Sequence, residues 1–185
     1  MFRAVGYRRP LKAWIESNPT LLTALEVTAE HFFDNQDTLY ELKDDYPISV
    51  HGLGLSLGSE LAIDQVLLEN FREVADAADA KWISEHLAFT KTKEADLGHL
   101  NPVIPNKRNL EKIRDRCRYV MDFCQRPLLL ENITTHIKLP GELGEAEFLN
   151  ELCEQAQIST LLDITNLFIN SRNHGFDPFD WIRQL

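Results

Sequence analysis

Short apolar segments alternate with longer amphipathic segments along the 185-residue chain, and this alternation constrains the fold more than any other feature. Apolar segments bounded by turn residues predict six strands, at residues 2–6, 22–27, 47–57, 82–89, 127–130 and 160–164. Residues with helical periodicity predict helices at 11–17, 37–42, 61–80, 107–124 and 145–157, and a last one from about 177. Strands that alternate with helices in this way predict a parallel sheet.

A parallel sheet of this kind can stay open and doubly wound, or it can close as a (β/α)8 barrel. A dinucleotide-binding sheet carries G-x-G-x-x-G after its first strand, whereas the glycine-rich loop here, residues 51–58, follows the third strand. The loop also lacks the Lys and Thr of a P-loop, so we interpret it as a tight turn rather than an anion site. We therefore predict a single domain, 1–185, that forms an incomplete TIM barrel of about six βα units.

Composition narrows the class of protein further. The chain has 44% hydrophobic and 26% charged residues, which is typical of a soluble globular domain. No segment reaches the ~18 consecutive apolar residues of a membrane span, and the first ten residues lack the apolar core of a signal peptide. We therefore expect a cytoplasmic protein without a membrane partner. The formal net charge of -10 disfavours a nucleic-acid partner, because phosphates are bound mainly by Lys and Arg.

The three cysteines, Cys117, Cys124 and Cys153, are odd in number and form no C-x-x-C pair. Cys117 and Cys124 lie seven residues apart in a predicted amphipathic helix, so both can face the core. We predict buried, reduced thiols rather than a redox or zinc site.

Polar side chains end four successive predicted strands. His51 ends the third strand, His86 the fourth, Glu131 the fifth and Asp163 the sixth, and His174 is predicted to lie in the loop just after. Because the carboxyl ends of barrel strands meet at one mouth, we expect these side chains to lie close together. A mixed set of nitrogen and oxygen ligands suits iron, manganese, zinc or cobalt. The sequence therefore predicts a metal site at the mouth.

Each of these residues also has a simpler interpretation when taken alone. A histidine at a strand end is often only hydrogen-bonded, Glu131 can pair with a neighbouring cation, and Asp163 can cap the next helix. Four successive strand ends nevertheless favour a metal site over independent accidents. Glu30, after the second strand, is expected to support it, and His99 and His136 are expected on the surface.

Five motifs, in this order, resemble one known family. They are Gly6-Tyr7-Arg8, the glycine-rich segment from His51 to Ser59, Ser84-Glu85-His86-Leu-Ala, Leu130-Glu131-Asn132-Ile133 and Leu162-Asp163-Ile-Thr-Asn166. The family is that of the multinuclear non-haem iron-dependent oxidative enzymes, which includes the iron subunit of the methanobactin-biosynthesis oxygenase. The resemblance runs from about residue 3 to residue 180.

The resemblance implies a xylose-isomerase-like TIM barrel that holds two or three irons. It implies oxygen-dependent modification of a ribosomally made precursor peptide, often at cysteine, with a small partner protein that presents the peptide. The ligand positions that it implies are His51, His86, Glu131, Asp163 and His174. Asn166 matches a position near the irons, and Asn132 and Glu30 are further candidates to support the ligands.

Family members continue for roughly 90 residues more, as two further βα units of a ~250-residue barrel require. We therefore expect a domain that is truncated at its C-terminus, or one that another chain completes. Two alternatives stay open: a divalent-metal sugar isomerase, epimerase or zinc endonuclease of the same superfold, and a non-catalytic binding fragment.

Overall fold

The computed structural model describes residues 2–185, in which eight strands form two sheets. In chain order, they are β1 (Ala4–Gly6), β2 (Ala24–Thr28), β3 (Ile48–His51), β4 (Ile83–His86), β5 (Phe89–Lys91), β6 (Asp96–Asn101), β7 (Leu128–Glu131) and β8 (Ser159–Leu161). The large sheet has the order β1-β2-β3-β4-β7-β8, and every neighbouring pair in it is parallel. Strands β5 and β6 form a separate antiparallel hairpin.

Helices connect the strands of the large sheet. They are α1 (Lys12–Ser17), α2 (Asp37–Asp45), α3 (Gln65–Ala77), α4 (Lys107–Cys124), α5 (Glu145–Ala156), α6 (Ile164–His174) and α7 (Pro178–Ile182). Short 3-10 helices occupy Arg9–Leu11 and Ala29–Phe32. The βα order and the parallel pairing confirm the predicted fold class, a TIM-barrel arrangement with six of the eight units that close a barrel.

The central strands are buried along their whole length. All four residues of β3 and all four of β4 are buried, because helices cover one face of the sheet and the barrel interior covers the other. The apolar members Ile48, Val50 and Ile83 lie in the hydrophobic core. The polar members of the same strands are therefore shielded from water as well, which matters for the chemistry at the strand ends.

Helix α3 shows how local sequence sets the framework. The Asp64 carboxylate accepts hydrogen bonds from the backbone N–H groups of Val66 and Leu67, and so caps the first turn. Phe71 and Val74 then point into the core at helical spacing. The helix spans thirteen residues, from Gln65 to Ala77, and is shorter at both ends than the predicted 61–80.

Three local predictions were wrong. The fourth strand ends at His86, and Phe89 belongs to the β5–β6 hairpin, which lies between the fourth predicted strand and the helix predicted at 107–124. The sixth strand ends at Leu161, so that Asp163 follows the strand and precedes α6. His174 was predicted in a loop but is the last residue of α6, a helix that the sequence analysis did not identify.

The cysteines agree with the prediction of free thiols. Cys117 and Cys124 are buried in the core and Cys153 is partly buried, and all three are free. Burial raises the pKa of Cys124 to about 12 and that of Cys117 still higher, so neither thiol ionises readily. Among residues 2–185, no helix has both the length and the apolar character needed to cross a membrane.

Candidate metal centre

Three of the predicted ligands meet at the carboxyl ends of neighbouring strands. His51 is the last residue of β3, His86 of β4 and Glu131 of β7. His86 is paired in register with Glu131, and His51 with Ser84, two residues before His86. Because side chains two residues apart on a strand share a face, all three project to the same side of the sheet.

The ligand atoms are close enough to share a cation. One ligand atom from each of His51, His86 and Glu131 lies within 4.8 Å of the other two. The Glu131 Oε2 atom is 3.5 Å from His51 Nε2 and 3.8 Å from His86 Nε2. The two imidazole rings stand nearly at right angles, with centroids 4.6 Å apart. This arrangement is a possible metal-binding triad of two nitrogen ligands and one oxygen ligand.

The far nitrogen of each imidazole has its own hydrogen-bond partner. His51 Nδ1 lies 2.8 Å from Ser84 Oγ, and His86 Nδ1 lies 3.2 Å from Glu85 Oε1. Metal-binding histidines commonly use their second nitrogen in this way, which fixes the ring and leaves the other nitrogen free. Sequence analysis named the Ser84-Glu85-His86 motif but assigned a role to His86 alone. Ser84 and Glu85 could have been recognised as partners of the ligands, because they are polar residues inside an otherwise apolar strand.

The two imidazoles differ electrostatically. Burial, helped by the neighbouring His86, lowers the pKa of His51 to about 4, so this ring is neutral at physiological pH. Burial also acts to lower the pKa of His86, but the hydrogen bond and charge of Glu85, with Glu131 nearby, outweigh it and raise that pKa. His51 is therefore available as a neutral ligand over a wide pH range.

The Glu131 carboxylate is held in an unfavourable place for a negative charge. Burial, together with the charges of Asp163, Glu26 and Glu85, raises its pKa to about 7, although His86 opposes the shift. A cation between the three ligand atoms would offset this excess of negative charge. The donor set and its electrostatics therefore fit a divalent metal.

Glu30, in the 3-10 helix after β2, supports the glycine-rich loop. Its Oε1 atom accepts a hydrogen bond of 2.8 Å from the backbone N–H of Leu53. Its Oε2 atom is buried and has no hydrogen-bond partner within residues 2–185. Burial raises the pKa of Glu30, even though the Leu53 N–H acts against the shift. The side chain thus links the second strand end to the loop that follows His51.

Asp163, Asn132 and Asn166 form a hydrogen-bonded group between the end of β7 and the start of α6. Asp163 Oδ1 accepts a bond of 2.8 Å from the Asn166 N–H and so caps α6. The Asn132 amide pairs with the backbone of Asp163 in both directions, at 2.8 and 3.0 Å. Asn166 donates to the Asn132 carbonyl and accepts from the Thr134 hydroxyl. The structure does not bring these three residues into the triad.

His174 lies apart from the triad, at the far end of α6. Its Nε2 atom is 2.8 Å from the Thr135 hydroxyl oxygen. The ring lines a largely apolar cavity of about 300 Å³ beside Phe148 and Trp181. Asn132, which directly follows Glu131 in the sequence, also lines this cavity. His99 and His136 are exposed, as predicted.

Comparison with solved structures identifies the class of the fold. The whole chain superposes on 69% of a D-psicose 3-epimerase with a TM-score of 0.64 and 16% identity. It also matches a xylose isomerase domain protein from Planctomyces limnophilus, with a TM-score of 0.55 and 13% identity over 98% of this chain and 68% of that one. The chain therefore has the xylose-isomerase-like TIM-barrel fold.

Sequence comparison identifies the family. Residues 3–185 match the profile of the RiPP precursor modification enzymes MbnB/TglH/ChrH, and the chain belongs to this family. A UPF0276 protein of Caulobacter vibrioides (strain NA1000 / CB15N) is 29% identical over 184 residues, which cover 96% of this chain. The chain spans 66% of the length of that relative.

Proposed function

We propose that this chain supplies the metal-binding part of an iron-dependent, O2-using enzyme that oxidatively modifies a ribosomally made peptide, at a cysteine. Family membership supports the peptide substrate. The observation that carries the metal-dependent part is the convergence of His51, His86 and Glu131 within 4.8 Å at three neighbouring strand ends. We further propose that a small partner protein presents the peptide.

The chain's own residues prepare the site for such a metal. His51 and His86 would hold it through their Nε2 atoms, and Glu131 would hold it through a carboxylate oxygen. Two nitrogen ligands and one oxygen ligand suit iron and leave positions open for further ligands. Bound iron would supply the capacity to bind dioxygen and to accept electrons from a sulfur-bearing substrate.

The rest of the mouth controls water and charge around these ligands. His51 and His86 are only 7% and 8% exposed, so bulk water has little access to their ligand nitrogens. Glu131 holds a proton below pH 7, and this proton must leave before the carboxylate can bind a cation. We propose that Asp163 and His174, together with residues of the longer protein, add ligands to this set in the complete enzyme, as the family resemblance implies.

The test is anaerobic reconstitution of the full-length protein with Fe(II), followed by exposure to air with a Cys-containing peptide. We expect bound iron, an iron–carboxylate absorption in the optical spectrum and oxygen consumption that depends on the peptide. His99→Ala is a matched control, because His99 is exposed and lies outside the triad. A protein that binds the peptide but consumes no oxygen would contradict the proposal.

A second candidate is metal-dependent epimerisation of a ketose. It is favoured by the same His51, His86 and Glu131 triad, which could equally hold the divalent metal of such an enzyme. The solved neighbour that was crystallised with D-fructose is an epimerase. Conversion of D-fructose by the Mn(II)-loaded protein, with no oxygen uptake, would favour this candidate over the oxidative one.

A further inference from the structure

Glu85 is a buried carboxylate that the triad does not include. It is 1% exposed and immediately precedes His86 on β4. Its Oε1 atom accepts a hydrogen bond of 2.7 Å from the His86 backbone N–H and lies 3.2 Å from His86 Nδ1. Its Oε2 atom accepts a bond of 2.9 Å from the Leu55 backbone N–H. Both oxygens are therefore occupied, and one of them bears directly on a proposed ligand.

A carboxylate buried this deeply needs a specific partner. Within residues 2–185, the His86 imidazole is the basic side chain that lies within 4.0 Å of the Glu85 carboxylate, and no Lys or Arg does. Two backbone N–H groups and one imidazole nitrogen surround it instead. Because an isolated buried carboxylate is strongly unfavourable, these donors must compensate for its lost hydration. An Nδ1–H donor on the His86 imidazole would add a third compensating hydrogen bond to Glu85.

The glycine-rich loop is built around this carboxylate. A Cβ atom on Gly52 would lie 3.0 Å from Glu85 Oε2 and 2.9 Å from the ring of Phe71, so a side chain there would push the loop away. From the outside, the Arg116 guanidinium donates to the carbonyls of Leu57, at 2.9 Å, and Ser59, at 2.6 Å. These bonds hold the loop so that the Leu55 N–H stays directed at Glu85.

The two imidazoles are consequently held by different kinds of group. The partner of His51 Nδ1 is the Ser84 hydroxyl, which can either donate or accept a hydrogen bond. The partner of His86 Nδ1 is a carboxylate, which when ionised can only accept. Only the second partner imposes one tautomer on its ring.

We propose that Glu85 is a positioning residue that fixes the neutral His86 ring in its Nδ1–H tautomer and keeps the Nε2 lone pair directed at the metal centre. Outer hydrogen bonds of this kind orient a ligand and raise its basicity. The inference rests on the proposed function, since it assigns His86 Nε2 to a metal. His51, in contrast, can adopt either tautomer through rotation of the Ser84 hydroxyl.

The first test uses the metal-free full chain and long-range 1H–15N NMR spectra at a pH where His86 is neutral. In the wild type we expect His86 in a single Nδ1–H tautomer. In Glu85→Gln we expect a mixture, because the amide offers one acceptor oxygen to three donors and places an NH2 group against one of them. Ser84→Ala is the matched control: it removes the His51 partner from the same strand and leaves His86 unchanged. A wild-type His86 with its proton on Nε2 overturns the inference, even if Glu85→Gln does not fold.

The second test measures the affinity for Co(II) from the visible absorption of the bound ion. Glu85→Gln is expected to weaken binding by about 10- to 100-fold, the effect typical of an outer partner of a ligand. Glu26→Gln removes a nearby carboxylate that has no bond to His86, and is expected to change affinity less than about threefold. Wild-type affinity in Glu85→Gln overturns the inference. A wild type that binds no Co(II) refutes the proposed function instead, while the tautomer measurement still decides the role of Glu85.

Discussion

Two groups of polar residues lie at the mouth of the barrel, and they use their polar atoms differently. At the ends of β3, β4 and β7, outer partners hold the far nitrogens of the two imidazoles, and His51 Nε2, His86 Nε2 and a Glu131 oxygen face one another. Between β7 and α6, Asp163, Asn132 and Asn166 bond to one another and to the backbone. The first group leaves three potential ligand atoms facing one another, whereas the second group joins a strand to a helix.

A polar residue at a strand end is therefore not a metal ligand by its position alone. What matters is whether the local backbone already uses its acceptor atoms. Asp163 follows its strand by two residues and faces the free N–H groups of α6, so its Oδ1 is taken by a cap. Its placement as a ligand, which the family resemblance implies, stays a prediction for the complete protein.

The largest expected effect is loss of a triad ligand. Loss of a hydrogen-bond partner of a ligand weakens metal binding by up to about 100-fold. His86→Ala and Glu131→Ala each remove a ligand itself, so each should weaken Fe(II) binding by more than that. The far-UV circular dichroism of the full-length protein should stay nearly unchanged, because residues at the mouth contribute little to barrel stability. Iron content after gel filtration, with His99→Ala as the control, measures the difference. An unchanged iron content in both variants would show that neither side chain is a metal ligand.

The next effect is the pH dependence that Glu131 imposes on metal binding. Its pKa is raised from 4.5 to about 7, so the metal must displace a proton below pH 7. Affinity for Co(II) should fall by up to about tenfold between pH 7 and pH 6, and be nearly constant through this group above pH 8. Isothermal titration in buffers of different ionisation enthalpy counts the released protons, and no proton release at pH 6 would contradict the assignment.

The raised pKa of Glu131 affects the stability of the metal-free fold in the opposite direction: metal affinity rises with pH, whereas the free energy of unfolding falls. The folded state binds a proton on Glu131 more tightly than the unfolded chain, so this group stabilises the fold at low pH. Its contribution is lost as pH rises from below 4.5 through about 7. The free energy of unfolding in urea, compared between wild type and Glu131→Gln at pH 5 and pH 8, should differ less at pH 5. An equal difference at both values would show that burial does not perturb Glu131.

A smaller effect, expected for Asp163 variants, distinguishes the capping group between β7 and α6 from the triad. Asp163→Ala should lower the free energy of unfolding by about 1 kcal/mol, the usual contribution of a helix N-cap. In this chain, it should change Co(II) affinity only a few-fold, through the charge that Asp163 exerts on Glu131. Asp163→Asn keeps a capping oxygen and serves as the control. If both variants lose the metal, Asp163 is itself a metal ligand in this chain.

The smallest effect is expected at His174. His174→Ala removes one partly buried hydrogen bond to Thr135 and should cost about 0.5 kcal/mol of stability. Metal affinity should stay the same, since the ring lines the apolar cavity rather than the triad. A measured loss of iron in the full-length variant would instead support the ligand position that the family resemblance implies.

Much of the fold followed from local pattern. The continuous apolar segments identified the buried strands, and long periodic segments such as α3 and α4 identified the helices. Helix α6 was missed because its first turns, Ile164-Thr165-Asn166, combine β-branched residues with an asparagine, which have weak helix propensity. The β5–β6 hairpin was missed because its turn, near Thr92–Ala95, carries none of the Asn-Gly or Asp-Gly signals.

The sequence by itself determined the order of the six parallel strands and of helices α1 to α5, the polar residues at the strand ends and the family resemblance. It could do so because periodicity and motif spacing are local properties of the chain. The tertiary structure alone decided which polar residues converge. The register of β3, β4 and β7 brings His51, His86 and Glu131 together, while the start of α6 takes up the Asp163 carboxylate. The physical reason is that each side chain's free lone pairs depend on hydrogen-bond partners far away in sequence, such as Ser84 for His51 and Asn132 for Asp163.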